Sequence, residues 1–214
     1  MNSIRIVLIH GFAASKGLGV IPLLFDWFSR THQTYSFDLP GHGSSQESFE
    51  SITFPILESA IESFLDSLDG SVVLVGHSMG GALSYRIAAR NPKIEKLVLL
   101  APGFSIRSRF LLSLRDEALE NGTASFEESG RSYRVSRAFF ESRDFDPFEL
   151  APRIRQPTLI VAGDLDYTID RDVCSQVARA LPSGSFVSAV GEGHDLTGLG
   201  YWSEIESFLD THEE

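Results

Sequence analysis

The chain has 214 residues, 43% of them hydrophobic, and a formal net charge of −11. This length and composition predict one globular domain with a large buried core, and the acidic balance argues against nucleic acid as a partner. The single cysteine, Cys174, excludes a disulfide framework and a cysteine-rich metal site, and no apolar run has the form of a secretory leader or of a membrane span, so the expected setting is soluble and cytoplasmic, with no membrane partner.

Residues 4–9 read as a buried strand ending in His10-Gly11-Phe12, where the glycine lets the backbone turn and the Phe12 amide face the strand ends. Residues 18–30 carry Leu23, Leu24, Trp27 and Phe28 at helical spacing. A second strand over 34–37 ends in the turn formers Asp38-Leu39-Pro40-Gly41-His42-Gly43. Asp38, His10 and His42 are read as residues that pin these loops. Residues 54–68 form an amphipathic helix stopped by Asp69-Gly70.

Next comes Ser71-Val72-Val73-Leu74-Val75, a strand, then Gly76-His77-Ser78-Met79-Gly80, then a helix closed by Asn91-Pro92. A G-x-S-x-G sequence between strand and helix is the setting of a nucleophile elbow. Its serine is strained outward, and the glycines permit strand and helix to meet closely. Residues 94–101 are another buried strand. From 104 to 152 the strand–helix alternation lapses: 107–120 and 123–140 both read as helices, without a strand between them. The stretch is therefore taken as a helical cap inserted into a core made of 1–103 and 153–214. Alternation resumes with a strand over 157–162 ending in Gly163-Asp164-Leu165-Asp166, a helix over 171–181 and a strand over 186–190 ending in Gly191-Glu192-Gly193-His194. A helix over 201–209 closes the chain, and Cys174 reads as a small buried hydrophobe within the helix before it.

Strands alternating with helices predict an α/β fold, a mostly parallel open sheet with helices on both faces and ligands beyond the strands' carboxyl ends. Ser78 and His194 each follow a strand, as does the 163–166 loop. A serine hydroxyl needs an adjacent base, and that base needs a carboxylate to fix its tautomer. His194 is the expected base. Asp166 is the preferred acid because it can reach back beneath the imidazole, with Asp164 the alternative. The backbone N–H groups of Phe12 and Met79 are the expected oxyanion donors. Neither a metal-ligand spacing nor a glycine-rich dinucleotide fingerprint is visible, so no metal and no cofactor are expected.

Taken together, His10-Gly11-Phe12, the 38–45 loop, the Gly76-to-Gly80 elbow, the Gly163-to-Asp166 loop and Gly191-to-His194 resemble the α/β-hydrolase superfamily over nearly the whole chain. The resemblance implies a capped sheet and an acyl-enzyme route through Ser78, Asp166 and His194. Set against the superfamily's pattern, the first strand here is the one before His10-Gly11, so the usual first two strands are expected to be missing and a six-stranded core under a short cap is expected. Serine at the elbow disfavours dehalogenase and epoxide hydrolase chemistry, for which those relatives use aspartate.

The cap supplies the substrate hints. Its aromatic and aliphatic side chains, Phe139 among them, suggest an apolar acyl pocket. Arg131, Arg134 and Arg137 recur every three residues and are expected to share a helix face. That face either pairs with Glu127, Glu128 and Glu141 or recognises an anion, such as a substrate carboxylate or an acidic carrier protein. Superfamily members that cleave the methyl ester of pimeloyl-carrier protein use a basic cap this way. The expected function is a serine esterase acting on a small-molecule ester. Two alternatives stand beside it: a pyruvate-eliminating lyase of the menaquinone-pathway type on the same triad, and a ligand-binding homologue without catalysis.

Overall fold

The computed structural model describes residues 4–198 and 200–210, so positions 1–3 and 211–214 of the expected core, and Leu199 within it, lie outside the described residues. The aliphatic runs form strands where periodicity expects them, with bounds shifted by a few residues. The first half of the chain contains β1 (Arg5–Ile9), α1 (Val20–Phe28), β2 (Gln33–Ser36), α2 (Phe54–Asp66), β3 (Val72–His77), α3 (Met79–Ala88) and β4 (Ile94–Leu100). The last part contains β7 (Thr158–Gly163), α7 (Arg171–Ala180), β8 (Gly184–Ala189) and α8 (Trp202–Asp210). These strands make a six-stranded sheet in the order β2-β1-β3-β4-β7-β8. All neighbouring pairs in it are parallel. Both β3 and β7 are buried along their full length, as strands covered by helices on both faces are.

The chain moves outward from β1 to β2, then crosses back to lay β3 on the other side of β1. That reversal is the point where an open α/β sheet leaves a crevice at its carboxyl edge. Phe12 follows β1 and Ser78 follows β3, so the two flank it. Cys174 is fully buried in α7, as a small hydrophobe would be. Among the described residues no helix is long and apolar enough to cross a membrane.

Between β4 and β7 the chain forms α4 (Arg109–Asn121), β5 (Thr123–Glu128), β6 (Arg131–Ser136), α5 (Arg137–Arg143) and α6 (Pro147–Leu150). The helix expected over 123–140 is thus largely a hairpin. Strands β5 and β6 pair antiparallel from Thr123↔Ser136 to Glu128↔Arg131. Two signals decide it. Alternation buries Ala124 and Phe126 on one strand and Val135 on the other. Ser129 and Gly130 then both take positive φ, 50° and 73°, as a two-residue hairpin turn demands.

The three-residue spacing of the arginines is consequently no helix face. On β6 an offset of three puts Arg131 and Arg134 on opposite sides. Arg131 donates to the Gly43 carbonyl at 3.0 Å. Arg134 pairs with Glu50 at 3.2 Å, and Arg137 donates to the Leu119 and Glu120 carbonyls at the end of α4. The start of the insertion is stitched to the β7–α7 loop, because Arg107 N donates to Thr168 O at 2.8 Å and Asp170 N to Ser105 O at 3.1 Å.

Candidate active site

Ser78 sits at φ 53°, ψ −115°, between β3 and α3. A non-glycine residue holds such a conformation only where its surroundings force it. Here they do: Ser78 N donates to Leu100 O at 2.9 Å, while Ser78 O accepts from Gly103 N at 2.9 Å and from Ala82 N at 3.1 Å. The corner is closed by glycine. A Cβ on Gly80 would lie 2.4 Å from Ile9 O and 2.5 Å from His10 O, both backbone atoms that cannot swing aside. Gly80→Ala is expected to cost about 3 kcal/mol or more of stability, seen as a lowered thermal midpoint. Gly193→Ala, where nothing lies within 4 Å of the new Cβ, should leave that midpoint unchanged.

From Ser78 a hydrogen-bonded line runs across three loops. The Ser78 Oγ lies 2.9 Å from His194 Nε2, and His194 Nδ1 lies 2.8 Å from Asp166 Oδ2. The other carboxylate oxygen of Asp166 accepts from Thr168 N at 2.7 Å and Ile169 N at 3.2 Å. Burial pushes the Asp166 carboxyl up, but the His194 bond and these two amides outweigh it and hold it below the usual carboxylate value. Its side chain is 0% exposed, so the anion is fixed by the protein rather than by water. Asp164 is placed elsewhere: exposed, it accepts from Gly191 N at 2.7 Å and pins the turn after β8.

Phe12 and Met79 line the same cleft as Ser78, and among the described residues neither backbone amide has a hydrogen-bond acceptor. Met79 N is the first amide of α3, whose partial positive end favours an anion. The Phe12 ring is wedged among Phe49, Phe126 and Phe139, with centroids 5.1, 5.4 and 5.2 Å away, so the hairpin and α5 hold that loop in place.

The remaining polar loop residues are structural. His10 accepts from Leu39 N through Nε2 at 3.0 Å, which leaves Nδ1–H to donate to the Gly11 carbonyl at 2.8 Å. His42 donates to Pro40 O at 2.8 Å, and His77 donates to His194 O at 2.9 Å, supporting the loop that carries His194. Asp38 accepts from the backbone N–H groups of Lys16 and Ser44 at 2.8 and 2.9 Å.

Ser78 lines an apolar cleft and a broader one. One is mostly apolar, walled by Met79, Ile106, Leu111, Phe139 and Phe140, and it contains one charged side chain, Arg143. The other is broader and open, bounded by His194, Asp195, Phe110, Glu128 and Ser129. Phe139, expected in the acyl pocket, lines the first. Arg131, Arg134 and Arg137 line neither. Arg143 was given no role by sequence reasoning; its one signal is the four-residue offset from Phe139, which puts both on one face of α5.

A parallel sheet with a strained serine after β3, hydrogen-bonded to a histidine after β8, is the arrangement of the α/β-hydrolase class. Over residues 6–200 the sequence matches the alpha/beta hydrolase family, and the chain belongs to it. It is 33% identical over 137 residues to the pimeloyl-[acyl-carrier protein] methyl ester esterase of Nitrosomonas europaea, a match covering 62% of this chain and only half of that protein. The enzyme of the same description from Stenotrophomonas maltophilia K279a is 27% identical over 95% of this chain and 90% of its own length. Among solved structures, ferulic acid-bound Est1E of Butyrivibrio proteoclasticus superposes with a TM-score of 0.78 at 20% identity, covering 96% of this chain and 88% of that one. A monoacylglycerol lipase from Paleococcus ferrophilus gives 0.75 at 21% identity, covering 96% and 91%.

Proposed function

We propose that this protein is a carboxylic ester hydrolase that works through an acyl-enzyme on Ser78, with His194 as base and acid and Asp166 as the group that orients it. The observation carrying this reading is the unbroken line from Ser78 Oγ through His194 to Asp166, with distances of 2.9 and 2.8 Å. His194 donates its Nδ1 proton to the Asp166 anion, which leaves Nε2 free to take the Ser78 proton. The serine oxygen then bonds to the ester carbonyl carbon, and the carbonyl oxygen becomes an anion facing the Phe12 and Met79 amides. When the carbon–oxygen bond to the alcohol breaks, His194 returns the proton to the departing alkoxide. Water repeats the sequence on the acyl-enzyme, giving its proton to His194 as it adds. Ser78 recovers that proton as the acid leaves. Each oxyanion donor supplies about 3 kcal/mol in such sites.

Apolar walls on one side of Ser78 suit an acyl chain, and the open cleft beyond His194 suits the leaving alcohol. Relatives named for carrier-bound pimeloyl esters bring an acidic carrier protein in as a second class of substrate. Hydrolysis of p-nitrophenyl esters of rising acyl length, together with a carrier-bound methyl ester, tests both. Turnover by wild type and none by Ser78→Ala is expected, with an acyl group found on Ser78 by mass spectrometry after rapid quenching. Turnover retained by Ser78→Ala would refute the reading. A folded wild type that reacts with a fluorophosphonate but hydrolyses no ester would favour elimination chemistry instead.

A further inference from the structure

The apolar cleft beside Ser78 contains a cation that forms no ion pair among the described residues. Arg143 ends α5 and extends into the cleft among Phe139, Phe140, Ile106 and Leu111. Burial pushes its pKa down, but an arginine stays protonated, so the charge persists in surroundings that solvate it poorly. By contrast Arg86, whose side chain is 18% exposed, is paired with Glu58. Among the described residues Arg143 has no such partner. Its neighbour in sequence, Asp144, is exposed and acts on it from a distance, raising its pKa against the larger effect of burial, but forms no ion pair with it. Its one hydrogen bond runs from Nη2 to the Gly103 carbonyl at 2.9 Å. A guanidinium has five N–H donors, so four remain.

That single bond also places the group. Gly103 N donates to Ser78 O, so Arg143 is tied through one residue to the backbone of the nucleophile. A charge fixed so close to Ser78, with spare donors inside the acyl cleft, is complementary to an anion on the acyl chain. A planar guanidinium binds a carboxylate by two parallel hydrogen bonds.

We propose that Arg143 is a specificity-determining residue that binds a carboxylate at the far end of the acyl group, so that the preferred substrates are monoesters of dicarboxylic acids. This rests on the ester hydrolase reading and names its substrate class. The apolar walls accept the methylenes between the two ends, and the carboxylate supplies the ion pair that Arg143 does not make within the chain.

The test compares equal chain lengths with and without the charge: monoethyl adipate against ethyl hexanoate, and monoethyl suberate against ethyl octanoate. For the wild type, kcat/KM is expected to be about 10- to 100-fold higher for the monoester of the better-fitting diacid than for its neutral partner. Arg143→Met should bring that ratio to one or below, and Arg143→Lys should restore part of it. A wild-type ratio near one overturns the proposal, whatever the variants do. So does a ratio that Arg143→Met leaves unchanged while both rates fall, which is the behaviour of a strut for Gly103. If the wild type cleaves none of these esters, the hydrolase reading is what has failed. Calorimetric binding of adipate and suberate then decides separately: binding lost in Arg143→Met sustains the anion site, and no binding to wild type removes it.

Discussion

Asp166→Asn is expected to lower kcat/KM for a p-nitrophenyl ester by about 10⁴-fold, whereas Asp164→Asn should change it by less than about threefold. Both carboxylates follow β7 within a few residues of each other, so the comparison isolates position from chemistry. An amide at 166 keeps the volume and can keep one bond to the Thr168 and Ile169 amides. What it changes is the partner of His194 Nδ1, 2.8 Å away. An Asn NH₂ in that place donates and requires Nδ1 to accept. The imidazole proton then moves to Nε2, facing Ser78, and the ring can no longer take the serine proton. The imidazolium formed during attack also loses its buried anion. Asp164 meets only the Gly191 amide, so its replacement affects a surface turn. Equal losses in the two variants would remove Asp166 from the mechanism. The thermal midpoint of each, recorded alongside, separates lost chemistry from lost fold.

The second large effect is on stability at mildly acidic pH. Burial drives the pKa of His42 and His77 down to about 4, assisted by the neighbouring His10 and His194 charges respectively. In the unfolded chain each returns to its ordinary 6.5. Between these values the unfolded state binds more protons than the folded one, so stability falls as pH drops from 6.5 towards 4 and is flat above 6.5. By linkage, the two sites together cost about 5 kcal/mol at pH 4.5 relative to pH 7. For a chain of this size that corresponds to a thermal midpoint lower by roughly 10 to 20 °C. His10, lowered by burial, and the carboxyls of Asp38 and Asp166, held low by their hydrogen bonds, act in the same direction. His42→Gln should remove about half of the slope. An unchanged midpoint between pH 7 and 4.5 would show that these rings are protonated in the folded protein.

Much of this arrangement is legible in the sequence because it is local. Val72 to Val75 is too apolar and β-branched to be other than a buried strand, and Gly76-x-Ser78-x-Gly80 places a serine on the turn after it. His194 and the 163–166 loop follow the same rule of strand ends. The hairpin is hard to see in the sequence because a spacing of three among Arg131, Arg134 and Arg137 fits a helix face as well. The competing signals, Ser129-Gly130 as a turn and the alternation of Ala124 with Phe126, are weaker in a polar stretch. Arg143 was illegible for a different reason. Its surroundings are built from Gly103, the 106–111 segment and the 168–169 loop, which only the folded chain brings together.

Residues 101–157 leave the sheet from β4 and return to it in β7, and these two strands are direct neighbours. The two ends of this excursion are therefore held side by side by the ladder itself, whatever lies between them. Loop closure grows only logarithmically with length, at about 0.6 kcal/mol for each doubling. Lengthening, shortening or exchanging that segment thus costs the sheet little, while it changes the walls that a ligand meets. Ser78 and His194 are carried by β3 and β8, outside the excursion, and keep their places through such changes. The joint between β4 and β7 makes this architecture permissive to new ligands: divergence can accumulate in the excursion without first dismantling the chemistry beneath it.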